Sequence, residues 1–172
     1  MTECRSAKPA LKFALLLLAV LLAACGVKTG KEPAVSVTLE QAKQEVWRNE
    51  DELVTRVPPE AVIKRWPRSE TSKVLFECAE PGRYYWPGSA QLQIEPTTDS
   101  HAVLKAIEAE WSSRAGWHAT WPEEGPEVFH LDLLRDDGLH VAIMNLESNT
   151  VLQVNSFSPC FELAAYDPNH PY

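Results

Sequence analysis

The feature that most limits what this chain can fold into is an unbroken run of 12 apolar residues, Phe13 through Ala24. It starts behind Arg5, Lys8 and Lys12, with Glu3 the lone acid, and stops at Cys25-Gly26. As a helix it would reach about 18 Å, well short of a hydrocarbon core near 30 Å. A basic flank, a short apolar stretch and small residues at its end describe an export signal rather than a permanent span. Residues 1–24 are therefore expected to be removed, and the fold must be built from the residues after Ala24.

The order Leu22-Ala23-Ala24-Cys25 resembles the lipobox of bacterial lipoproteins. The resemblance implies diacylglyceryl transfer to the Cys25 thiol, cleavage before Cys25, and a mature chain held on the extracytoplasmic face of the cell membrane. Residues 25–37 lack periodicity and read as the lipidated tether, with a reach of at most about 40 Å. Losing three basic residues and one acid takes the formal charge from −8 to −10. Anionic head groups and phosphate backbones repel such a surface, so nucleic acid is excluded as a partner and the membrane is reached through the lipid alone. Each buried methylene of an acyl chain contributes about 0.8 kcal/mol to that anchoring.

Of the 4 cysteines, Cys4 leaves with the signal and Cys25 carries the lipid. Cys78 and Cys160 remain, and an even remainder in an exported chain reads as one disulfide. Closing a loop of about 83 residues would stabilise by roughly 4.5 kcal/mol, less any strain. The alternatives are two buried thiols or a metal pair, but neither cysteine has a CxxC neighbour or a histidine at ligand spacing.

From Thr38 the chain has domain character. Thr38 and Gln41 form a capping-box pair ahead of Leu39, Ala42, Val46, Trp47, Leu53 and Val54 at helical spacing, and Pro58-Pro59 stop the element. Residues 60–72 lose periodicity. Residues 73–79 read as a strand, Pro81-Gly82 as a turn, and 83–95 as an extended segment. Thr98 or Asp99 caps a second helix carrying Val103, Leu104, Ile107 and Trp111 on one face, with Gly116 at a left-handed end. A short strand comes next, at 117–121. Residues 128–135 and 139–146 then pair through Asp136-Asp137-Gly138, a turn with a glycine bulge. That register sets Leu131 and Leu133 opposite Ile143 and Val141. A last strand, 150–158, adds Leu152 and Val154 to the same face.

The expectation is an α+β domain over 38–163: an antiparallel sheet with two helices packed on one face, ordered α-β-β-α-β-β-β and stapled by Cys78–Cys160, with 164–172 as a tail. An early helix, a strand-borne cysteine, a central helix ending near Gly116-Trp117 and a late cysteine resemble the layout of small LppA-like lipoproteins of actinobacteria. The resemblance implies no catalytic residues.

Chemistry-bearing motifs are few. No phosphate-cradling glycine loop is present, and Pro87-Gly88-Ser89-Ala90 lacks the second glycine of a nucleophile elbow. Glu123, Glu124 and Glu127 read as a solvated charge run in a Pro/Gly loop. His130 and Asp132 share a strand face, but the register puts Met144 and Ala142 opposite them, so His140 is not expected to be their direct partner, and a solvated polar face is the plainer reading than a metal site. No enzyme activity, metal or cofactor is implied. Most unusual are the 6 tryptophans, and Tyr84, Tyr85 and Trp86 together form the candidate binding surface, an aromatic platform for an envelope protein or glycan. The alternative use of such a domain is as a small-molecule or lipid carrier with a pocket between sheet and helices.

Overall fold

A computed structural model describes residues 37–122 and 129–172. Cys25, the signal and tether residues before Val37, and Glu123, Glu124 and Glu127 lie outside them. The first helix, α1 (Leu39–Val54), begins at the anticipated cap: the Thr38 hydroxyl accepts from the Gln41 N–H at 3.2 Å, and the Gln41 side chain accepts from the Thr38 N–H at 2.9 Å. Asp99 caps the second helix, α2 (Ser100–Ser112), accepting from the Ala102 N–H at 2.9 Å.

The strands are β1 (Val62–Arg65), β2 (Phe76–Glu77), β3 (Arg83–Tyr85), β4 (Pro87–Ile94), β5 (Trp117–Thr120), β6 (His130–Arg135), β7 (His140–Leu146), β8 (Val151–Phe157) and β9 (Phe161–Glu162). Six of them form one antiparallel sheet in the order β1-β4-β8-β7-β6-β5, and β2-β3-β9 form a second, small one. The α+β class, the antiparallel pairing and both helices on one face stand as expected; the strand count is higher. β1 escapes a periodicity search because it is a four-residue edge strand carrying Lys64 and Arg65, with a bulge in its pairing to β4. The strand anticipated at 73–79 shrinks to β2, and the segment 83–95 divides at Trp86, where the chain passes from the small sheet to the large one.

Alternation does the rest. The Leu131–Ile143 and Leu133–Val141 pairs form as the register required, and Ile143 continues to Val154 and Ala90 on β8 and β4. These side chains meet Leu53 of α1 and Leu104, Ile107 and Trp111 of α2 in one buried cluster. α1 comes so close to β4 that a Cβ on Gly88 would collide with Val46 Cγ1 and lie 2.6 Å from Glu50 Oε1, so only glycine fits there. Outside this layer, Arg56 clamps Glu110 with two hydrogen bonds of 2.6 and 2.7 Å, joining the end of α1 to α2. Arg114 lies 3.8 Å above the Trp111 ring.

Cys78 and Cys160 are bonded, their Cα atoms 6.4 Å apart. The bridge sits just after β2 and just before β9, so it closes the small sheet rather than the large one. Most residues of the anticipated tail, 164–172, are exposed, but Tyr172 is buried and exchanges two backbone hydrogen bonds with Ser72, at 2.8 and 2.7 Å, so it docks on the domain.

Replacing both cysteines by serine should lower unfolding free energy by up to about 4.5 kcal/mol. Urea titration checks this, and a loss below about 1 kcal/mol would mean that the small sheet holds without its staple.

Candidate functional site

The three aromatic residues expected to form one platform separate. Neighbouring strand residues point to opposite faces, so Tyr84 and Tyr85 part company on β3. Tyr84 turns toward the C-terminal residues, stacking on Tyr166 at 5.2 Å. Trp86 is only 1% exposed and packs edge-on against Trp47 at 5.8 Å. Its backbone is fixed as well, since its N–H donates to the Ser158 hydroxyl at 2.9 Å and its carbonyl accepts from the Ser158 N–H at 3.0 Å. Trp86 is therefore a core residue at the junction of the sheets, not a binding-surface residue. Pro87 favours an extended backbone at Trp86, and that backbone carries the ring inward.

Tyr85 takes the other direction and meets different partners. The β2–β3 register sets Phe76 directly opposite it, and the two rings stack at 5.3 Å with an 11° interplanar angle. Phe157, at the end of β8, meets Tyr85 edge-on at 5.5 Å, and His140 lies flat against Phe157 at 5.7 Å. Phe76 and Leu134 are 44% and 47% exposed. The result is a row of rings running from the small sheet onto the face of the large sheet opposite the helices.

The row ends in a polar cluster. His140 Nε2 lies 2.8 Å from Asp132 Oδ1, and His130 Nε2 lies 3.2 Å from the same oxygen. The anticipated register is correct, with Asp132 opposite Ala142 and Leu134 opposite His140, but the inference drawn from it is not. Diagonal neighbours across an antiparallel pair come within reach of long side chains, and the small Ala142 leaves room for the imidazole to lean over. Among the described residues, no group of three or more His, Cys, Asp or Glu side chains is arranged to hold a metal ion.

Beside the rings runs a ladder of neutral polar groups. Gln153 donates to Ser89 Oγ at 2.6 Å and to Asn155 Oδ1 at 2.9 Å, and Gln91 donates to Gln153 Oε1. Register alone could have found this face: Ser89–Asn155–Ala142–Asp132 and Gln91–Gln153–Met144–His130 are successive outward rungs. Adjacency in sequence does not reveal it, because Phe76, Tyr85, Phe157 and His140 are scattered over four strands.

On the helical side lies one unusual titratable group. The Glu50 side chain is fully buried between α1 and the sheet, and neither carboxyl oxygen closes a hydrogen bond of ordinary geometry. Burial raises its pKa to about 7, against the opposing pull of the Ser156 hydroxyl and of Arg68, 4.0 Å away. The side chain is inaccessible to solvent, so its titration bears on stability.

The chain matches no protein-family profile, no curated protein and no solved structure.

Because the folded-state pKa of Glu50 lies above its ordinary 4.5, the folded form binds the extra proton. Its contribution is full below about pH 4.5 and lost as pH rises through about 7. Glu50→Gln should gain stability on wild type by on the order of 3 kcal/mol between pH 4 and pH 8. Parallel denaturation curves at the two pH values would contradict this. Trp86→Ala should cost about 3–5 kcal/mol in the same assay.

Proposed function

We propose that this protein is a lipid-anchored extracytoplasmic module that binds an envelope component, protein or glycan, through the open face of its large sheet. The observation that carries the reading is the ring row Phe76–Tyr85–Phe157–His140 on a face that neither helix covers. Phe76 is exposed, and Tyr85, Phe157 and His140 are half-buried; aromatic rings at such a margin, beside polar neighbours, serve as anchors of recognition surfaces. The lipobox-like Leu22-Ala23-Ala24-Cys25 supports anchoring at Cys25, and the bond between Cys78 and Cys160 suits an oxidising compartment.

The carrier reading is weaker on a specific ground. A carrier of this architecture needs an enclosed volume of at least roughly 300 Å³ between sheet and helices. Here that layer is filled by Leu53, Leu104, Ile107, Trp111, Leu131 and Ile143, all essentially inaccessible.

Two measurements test the reading. Mass spectrometry of the membrane fraction should find a mature chain beginning at an acylated Cys25; an unprocessed chain recovered from cytosol would contradict it. A benzophenone side chain in place of Leu134 on the open face should form adducts in intact cells. The same group in place of Ala106, on the exposed side of α2, should not. Equal adducts from both positions would remove the open face as the site.

A further inference from the structure

Resting on the reading of the open face as a binding surface, we infer that its ligand is an uncharged glycan chain. Sugar rings carry an apolar face of C–H groups and a rim of hydroxyls, so a protein that binds them offers ring faces beside fixed planar donors and acceptors. This surface offers both. The rings of Phe76, Tyr85, Phe157 and His140 succeed one another in steps of 5.3, 5.5 and 5.7 Å. The side-chain amides of Gln91, Gln153 and Asn155 run alongside, already oriented by their hydrogen bonds to each other and to Ser89. Amides held in place before binding lose little freedom when a hydroxyl joins them, which is where a weakly polar ligand gains affinity.

The charge pattern selects against other ligands. On the two outward rungs through β4, β8, β7 and β6, the one carboxylate is Asp132, and two imidazoles already crowd its Oδ1. Among the described residues of these rungs there is no second carboxylate to form an acidic cluster for a basic peptide or polyamine. A polyanion approaches a chain of formal charge −8 without a run of lysine or arginine on these rungs to receive it. A hydrophobic protein partner would meet a Gln/Asn/Ser ladder whose desolvation is costly unless every amide is paired again. Hydroxyl groups pair with such amides readily.

The test uses the full-length mature lipidated protein in a detergent without a sugar head group. Soluble hexamers of β-1,4-linked N-acetylglucosamine, of glucose, of mannose and of galactose are titrated against it by calorimetry, with hyaluronate as an anionic comparison. At least one neutral hexamer should bind saturably with Kd near or below about 1 mM. Its affinity should hold when salt is raised to about 0.5 M, because no ion pair is involved. Phe76→Ala, at an exposed ring whose loss leaves the core intact, should weaken it at least about tenfold, and so should Gln153→Leu, which keeps bulk and removes the amide. Failure of every neutral hexamer to bind overturns the glycan inference, as does preferential, salt-sensitive binding of hyaluronate. Binding that Phe76→Ala and Gln153→Leu leave unchanged overturns the placement on this face. If the glycans fail while open-face crosslinks to a defined protein persist, the surface stands and the ligand class does not. If those crosslinks fail as well, the surface reading fails with it.

Discussion

A six-stranded antiparallel sheet has two broad faces, and among the described residues both helices pack on one of them. α1 and α2 bury the inward rungs, where Leu131, Ile143, Val154 and Ala90 line up across four strands. Burial of that layer is the dominant stabilising term, since apolar area contributes about 25 cal/mol per Å² removed from water. Among the described residues no helix packs on the opposite face, whose central rungs carry glutamines, an asparagine, a serine and histidines, with rings at the margin. Everything proposed about function rests on this asymmetry.

The small sheet shapes the boundary of the open face. Without β2 and β3 the row would stop at Phe157 and His140; with them, Phe76 and Tyr85 extend it. The Cys78–Cys160 bond and the Trp86–Ser158 hydrogen-bond pair hold the two sheets at their common edge. Reduction of the bond would therefore loosen the margin of this face before it touched the main core.

Much of the fold is legible in the sequence where one physical rule acts alone. The Thr38–Gln41 capping box, the Asp99 cap and the β6–β7 register each arise from local chemistry or strict alternation, and each is present. β1 is not legible, because an edge strand of four residues with two cations looks like a loop. Trp86 misleads for a different reason: Trp-Pro specifies an extended backbone but not which way the ring faces, and packing against Trp47 decides it. The docking of Tyr172 is not legible locally, because it goes with backbone pairing to Ser72, about 100 positions away along the chain. The ring row and the His130–Asp132–His140 cluster are non-local in the same sense, and only pairing across strands brings them together.

The most direct test of the asymmetry is hydroxyl-radical footprinting of the protein on intact envelopes against the purified protein. The account predicts that Phe76, Tyr85, Leu134 and Phe157 lose labelling together on the envelope, while Trp47 and His101 on the helical side keep theirs. Uniform labelling of all six in both settings, or protection confined to the helical side, would contradict it.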